Sequence, residues 1–201
     1  MDFSCAILAG GQSRRFGSDK TIAKLKGKSF TEILARKFVK ISDDVMIISK
    51  NSSKFDFNLS HVRFLNDIYE SQCPLVGILT SMKYAKYDWI FVVSADSPFV
   101  KIELIHLLSE NLENCDVLLP YIRDKIYTLS SFYNKRIFKV FDDFFKKGVL
   151  RLLDIYPHVK TCYFRKVEKI KCIDNDLVSF ININTKEDYE FAKQIAEKID
   201  F

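Results

Sequence analysis

Residues 6–20 read AILAGGQSRRFGSDK. A short apolar run stops at two glycines, and three basic residues, Arg14, Arg15 and Lys20, follow within ten positions. Phe3–Ala9 has the composition of a buried strand, so the glycines fall beyond its carboxyl end, where α/β folds bind ligands. Gly10 and Gly11 leave the backbone bare, and its N–H groups can then approach an anion or a base edge. Arg15 suits a bidentate grip on phosphate oxygens, while Lys20 acts as a point charge. The two commonest phosphate motifs are absent. Five residues separate Gly11 from Gly17 and Ser18 stands where a P-loop has lysine, while adjacent Gly10 and Gly11 break G-x-G-x-x-G. On these residues alone, a nucleotide site and an ordinary βα turn both stay open.

The 201 residues are read as one domain, 1–201. With 48% hydrophobic residues, the chain can bury roughly 70% of its unfolded surface. A charged fraction of 28% argues against disorder and against a membrane protein. No apolar stretch nears the ~20 residues of a spanning helix, and no basic leader segment precedes the first strand. A cytoplasmic protein with no membrane partner is expected. The net charge is +5, and the window from Arg14 to Lys28, six basic residues against Asp19, carries all of it. So local an excess argues against a nucleic-acid surface. Five cysteines, an odd number without a Cys-x-x-Cys pair, predict reduced structural thiols rather than a disulfide framework or a zinc site. The three histidines lie far apart.

Strand and helix signals alternate. Ser29-x-x-Glu32 opens a helix reaching Ile41, with Phe30, Ile33, Leu34 and Phe38 on one stripe. DVMIISK and HVRFLN read as strands, and PLVGILTSMKYA as a helix opened by Pro74. DWIFVVSAD, apolar on both faces, predicts a central strand. A helix over 102–112 and the strand DVLLP follow. This order predicts a three-layer α/β/α, Rossmann-like, mostly parallel sheet. Beyond it, KIYTLSSFY, VKTCYFRKV and LVSFININ read as strands, NKRIFKVFDDFFKK as a helix, and the last helix begins at Thr185.

LAGGQSRRFGSDK resembles the opening signature of the MobA-like nucleotidyltransferases, L-A-G-G-x-S-x-R-[MF]-G-x-D-K. LNDIYESQCPLVGI is similar to the family's D-x(5–7)-G-P-L-x-G segment, VVSADSPFV to its C-D-x-P-[FY] strand end, and FININTKEDY to its late Asn-x-Asn-Thr element. IISKN ends at Asn51, where the family has a nucleotide-contacting asparagine. The matches run in order from Leu8 to Tyr189. Departures are Cys73 for a glycine, Lys186 for a proline, Ala95 for a cysteine, and KIYTLSS where the family often shows His-Pro.

The resemblance implies a fold of the nucleotide-diphospho-sugar transferase type, with nucleotide bound by residues 1–100 and acceptor by about 101–201. It implies transfer of GMP from GTP to the terminal phosphate of molybdopterin, with release of pyrophosphate. Leu8, Ala9, Gly10, Gly11, Lys20, Asn51, Asp67 and Asp96 would bind the nucleotide, with Arg15, Lys20 and Asp96 catalytic. Asp96 would hold Mg²⁺, which takes one or two carboxylates together with phosphate oxygens. Asn182, Asn184 and Arg151 would bind the acceptor. Asp174-Asn175-Asp176 reads as a polar turn rather than a metal motif. The expected state is a monomer, with molybdoenzyme maturation proteins as further partners. Two rival readings are a CTP- or UTP-dependent relative acting on a sugar or polyol phosphate, and a non-catalytic nucleotide-binding protein.

Overall fold

The computed structural model describes residues 1–10, 23–51, 53, 55 and 57–199. Strand β1 (Ser4–Leu8) alternates strictly, Cys5 and Ile7 entering one core and Ala6 and Leu8 the other. A small hairpin, β2 (Lys24–Leu25) with β3 (Lys28–Ser29), leads into α1 (Phe30–Phe38). There Ser29 Oγ accepts from Glu32 N–H at 3.2 Å, while the Glu32 carboxylate takes Arg36 instead of closing the box. β4 (Val45–Ser49), β5 (Val62–Asn66), α2 (Pro74–Tyr84), β6 (Trp89–Ser94) and α3 (Ile102–Ser109) complete the first half. The second half holds β7 (Val117–Ile122), β8 (Lys125–Ile126), β9 (Ser131–Asn134), α4 (Phe138–Lys146), α5 (Leu152–Ile155), β10 (Thr161–Phe164), α6 (Val167–Ile173) and α7 (Lys186–Glu197).

The main sheet runs β10-β7-β9-β6-β1-β4-β5, with β8 paired to β7. β1, β4, β5 and β6 are mutually parallel, as are β7 and β10, and β9 lies antiparallel between β6 and β7. β6 is central as expected: Ile90, Phe91, Val92 and Val93 are fully buried, alternating between the two faces. One face is covered by α1 and α3, the other by α2 and α4. A third cluster joins Leu25, Phe30, Ile33, Phe99, Ile183, Ala192 and Ala196, docking α7 against the β2–β3 hairpin. The α/β, mostly parallel, Rossmann-like sheet therefore stands as read from sequence.

The second half departs from the reading in detail. LVSFININ is no strand: Val178–Phe180 forms a 3₁₀ turn, and Ile183 makes one backbone bond to the Asp96 carbonyl. KIYTLSSFY divides into β8 and β9 around Ser130, whose φ is 68°. α5 and α6 form where no helix is expected. The cysteine reading is also corrected. Cys115, just before β7, is joined by a disulfide to Cys162 in β10, their Cα atoms 5.8 Å apart. Parallel pairing brings the two together across 47 residues of sequence, which no local spacing reveals. Cys5, Cys73 and Cys172 are free thiols.

The amino-terminal edge of the sheet closes on Asp44. Its buried carboxylate accepts from Ser4 Oγ at 2.6 Å, Lys86 N–H at 2.9 Å and Arg63 Nε at 3.1 Å, and its carbonyl accepts from Cys5 N–H at 2.9 Å. The starts of β1 and β5 and the segment leading into β6 are thereby tied to the residue that precedes β4. Removing it strands buried donors, so Asp44→Ala should cost about 2–4 kcal/mol of unfolding free energy, measured by urea titration at unchanged m-value. Asp43→Ala, which removes an exposed pair with Lys86, should shift the midpoint far less.

Candidate active site

From β1 the chain moves outward to β4 and β5, then returns to the other side of β1 as β6. The carboxyl ends of β1 and β6 therefore flank the point where strand order reverses, the place for a ligand crevice in open α/β sheets. A cavity of about 400 Å³ opens there. Leu8 and Gly10 come from the end of β1, Ser94 from β6, Asp67 from the end of β5, and Ser71–Pro74 from the amino end of α2.

Two glycines shape its walls. A Cβ on Gly10 would stand 3.2 Å from Asp67 Oδ2, so bare backbone and carboxylate share one corner. A Cβ on Gly77, in α2, would meet Leu8 Cδ2 at 2.9 Å, so α2 sits close only because that position lacks a side chain. Burial pushes the Asp67 carboxyl above its ordinary range, against the pull of Lys50 and the Thr80 hydroxyl. The segment after Asp67 is anchored to α4. The Tyr69 ring stacks on Phe145 at 4.5 Å, and its hydroxyl donates to Asp142 at 2.6 Å.

Two residues beyond Ser94, Asp96 is buried at the strand end and followed by a turn through Pro98. The segment 173–183 is bound across this turn. Ile183 N–H donates to the Asp96 carbonyl at 2.8 Å. Ser97 Oγ donates to Asn182 Oδ1 at 2.9 Å, and Lys101 N–H to Ser179 Oγ at 3.0 Å. Lys101 Nζ donates to the Ile173 carbonyl at 2.9 Å and lies 3.5 Å from buried Asp174. Asp174 in turn accepts from Val178 and Ser179 N–H. It is a structural cap, in keeping with a polar turn.

The structure thus brings together Leu8, Gly10 and Asp67 around the cavity, and Asp96 with Asn182 beside it. Ala9 is buried, with its N–H donating to the Ile48 carbonyl at 2.7 Å, while the Leu8 carbonyl accepts from Ala95. These backbone groups take part in the sheet. Asn51 is exposed and accepts from Ser53 N–H and Oγ. Asn184 N–H donates to Asp188, part of the α7 cap. Arg151 is exposed at the start of α5, 3.7 Å from Asp154. Gly11, Arg15 and Lys20 lie outside the described residues. Ser97, Lys101 and Ser179 were missed, because nothing local marks a residue whose partner is some 80 positions away.

Among the described residues no cluster of three or more His, Cys, Asp or Glu side chains gathers to hold a metal. One buried carboxylate at a strand end nonetheless fits Mg²⁺, which completes its shell with phosphate oxygens and water.

A family model described as "MobA-like NTP transferase domain" matches residues 5–159. The chain belongs to this family. It is 32% identical to a probable molybdenum cofactor guanylyltransferase of Aquifex aeolicus, over 92% of this chain and 87% of that protein. A probable molybdenum cofactor guanylyltransferase of Natranaerobius thermophilus is 31% identical, over 98% of both chains. The crystal structure of molybdopterin-guanine dinucleotide biosynthesis protein A from Archaeoglobus fulgidus superposes with a TM-score of 0.84. Its identity is 26%, covering 98% of this chain and all of that one.

For a MobA-like chain the rigidity of the Asp96 turn matters, and a second lysine supports it from below. Lys37, on α1, donates from Nζ to the carbonyls of Pro98 at 2.8 Å and Val100 at 3.2 Å. Burial lowers its amine from 10.5 to about 8, opposed by Glu103. Below pH 8 it is charged in both folded and unfolded states, and the full cost of burying the charge is carried. Between about 8 and 10.5 the folded form sheds the proton first. The stability of wild type relative to Lys37→Met should therefore rise by up to ~3 kcal/mol over that interval. Chemical denaturation at stepped pH measures it, and a flat difference would refute the burial effect.

Proposed function

We propose that this chain transfers GMP from GTP to the terminal phosphate of molybdopterin, forming the guanine dinucleotide and releasing pyrophosphate. The observation that carries the reading is the cavity at the strand-order reversal, walled by the half-buried Asp67 carboxylate and ending two residues from Asp96. Its volume of about 400 Å³ lies in the range of small-ligand sites. Guanine presents N–H donors along its Watson–Crick edge, and a carboxylate accepts only, so Asp67 suits that edge or the ribose hydroxyls. The amino end of α2, at Ser71–Pro74, adds a favourable field for electron-rich atoms.

In the reaction an oxygen of the acceptor phosphate attacks the α-phosphorus of GTP. A new P–O bond forms as the bond to the β-phosphate oxygen breaks, and that oxygen leaves with the electron pair as pyrophosphate. Two anions must approach, so positioning and charge neutralisation are the protein's main contributions. Asp96 is the residue to hold Mg²⁺, which when bound would polarise the α-phosphate and offset the charge of the leaving group. Arg15 and Lys20 are assigned to the triphosphate by family resemblance. Asn182 has Oδ1 engaged by Ser97, which leaves its amide N–H groups as donors for the acceptor phosphate.

Incubation with molybdopterin, GTP and Mg²⁺ should yield the guanine dinucleotide and pyrophosphate. GTP with Mg²⁺ should raise the melting temperature, as any ligand of the native state does. A response to CTP or UTP without one to GTP would overturn the guanylyl assignment, and GTP binding without transfer would point to a non-catalytic relative. Asp96→Asn should lower turnover by roughly 10²–10³-fold with melting temperature retained. Gly77→Ala should push Leu8 into the cavity and weaken GTP binding roughly tenfold, read by isothermal titration.

A further inference from the structure

The segment between β5 and α2 supplies Asp67, Ser71, Gln72, Cys73 and Pro74 to the wall of the cavity. Its backbone does little to hold it in place. Asp67 N–H donates to the Ser49 carbonyl at 3.0 Å and Ile68 N–H to Thr80 Oγ1 at 3.1 Å. Beyond them, among the described residues, no N–H from Tyr69 to Cys73 donates to a protein group. Cys73 enters α2 as an N-cap without a side-chain bond, and Glu70 and Gln72 are exposed. Segments of this kind open at the lowest cost in a fold, yet this one walls the site.

One side chain ties its middle down. The Tyr69 ring stacks on Phe145, centroids 4.5 Å and planes 22° apart, and its hydroxyl donates to Asp142 Oδ1 at 2.6 Å. Asp142 is buried on α4, and its second oxygen accepts from Lys146 Nζ at 2.6 Å. An O–H···O⁻ bond of this length is about twice as strong as one between neutral groups. Lys146 and then the Tyr69 hydroxyl hold the Asp142 carboxyl below its ordinary range, while Asp142 holds the phenol above its own. At neutral pH donor and acceptor are thus in the states the bond needs. Neither Tyr69 nor Asp142 lines the cavity. Tyr69 and Phe145 pack with the core under α2 and α4, as do Leu8 and Ile48. A second cavity, of about 530 Å³, opens on the other face beside Tyr127 and Phe180 and shares no residue with this contact.

We propose that Tyr69 and Asp142 are positioning residues for the nucleotide: by fastening the middle of the 67–73 segment to α4, they hold Asp67 and Ser71–Cys73 ready for the nucleoside end of GTP. The assignment rests on the transfer reaction proposed above. A wall that is already ordered spares the ligand the entropy of ordering it, so loss of the clasp is felt in binding. Arg15 and Lys20, assigned to the triphosphate, belong to another part of the chain. The loss therefore falls on base and ribose and leaves the reacting phosphate as it was.

The test is a set of titrations with GTP and GMP on variants of the clasp, alongside turnover assays. Tyr69→Phe keeps the ring and removes only the hydroxyl. It should weaken GTP and GMP binding by the same factor, about tenfold, with the melting temperature retained. KM for GTP should rise by that factor, while kcat and KM for molybdopterin stay within about twofold of wild type. Asp142→Ala should match it, and Asp142→Asn, which still accepts the hydroxyl, should recover most of the affinity. The double variant Tyr69→Phe/Asp142→Ala should bind GTP no worse than either single one, as partners in one bond do. Tyr87→Phe, which deletes a similar bond to Asp43 at the amino edge, should move none of these constants. GTP affinity within about twofold of wild type in both single variants, losses that multiply in the double variant, or a loss for GTP without one for GMP would overturn the clasp. Wild type that transfers GMP while the variants bind GTP as it does would sink the clasp alone. The expected affinity losses in a protein that transfers no GMP would sink the reaction and leave the clasp standing.

Discussion

A buried strand that ends in a buried aspartate leaves backbone donors and acceptors that water cannot reach, and the structure is organised around satisfying them. β6 ends at Ser94, and the turn carrying Asp96 is buried through Val100. The partners come from far along the chain: Ile183 for the Asp96 carbonyl, Asn182 for Ser97, Ser179 for the Lys101 N–H, and Lys37 from α1 for the next carbonyls. An unpaired buried backbone group costs about 1–3 kcal/mol, so this set of bonds fixes the turn firmly. The segment 173–183 is irregular because its hydrogen bonds serve the turn and not a neighbouring strand. It therefore carries Asn182 to the reacting edge.

The same constraint separates the two ends of the sheet. At the amino edge, Asp44 gathers the strand starts into one closed polar knot. At the carboxyl edge the polar groups are arranged around two cavities. The polar knot and the cavities thus occupy opposite edges, joined by β1, β4, β5 and β6.

What was legible in the sequence follows the range of each interaction. The alternation of Cys5, Ala6 and Ile7, the doubly apolar run of β6 and the proline opening α2 are local, and each stands as read. Asp67, Asp96 and Asn182 were found through motif resemblance, and the fold brings each to the same edge. LVSFININ misleads because Ile181 and Ile183 alternate with asparagines as in a strand, yet among the described residues no strand pairs with it. The Cys115–Cys162 bond, the Lys37 contacts and the Lys101–Asp174 pair all join residues more than 45 positions apart. A single sequence holds no record of such meetings.

The antiparallel course of β9 has a consequence for access to the reacting edge. A strand in the parallel sense would arrive from the far end, through a helix packed on a face. β9 enters at the carboxyl edge, so residues 127–130 pass over that edge on their way in. Their backbone is fastened at both ends, Tyr127 N–H to the Pro120 carbonyl and Ser130 N–H to the Val92 carbonyl. That crossing is a fixed partition, like the post between two doors. Leu129 faces the cavity on one side of it and Tyr127 the cavity on the other, so the two openings stay apart.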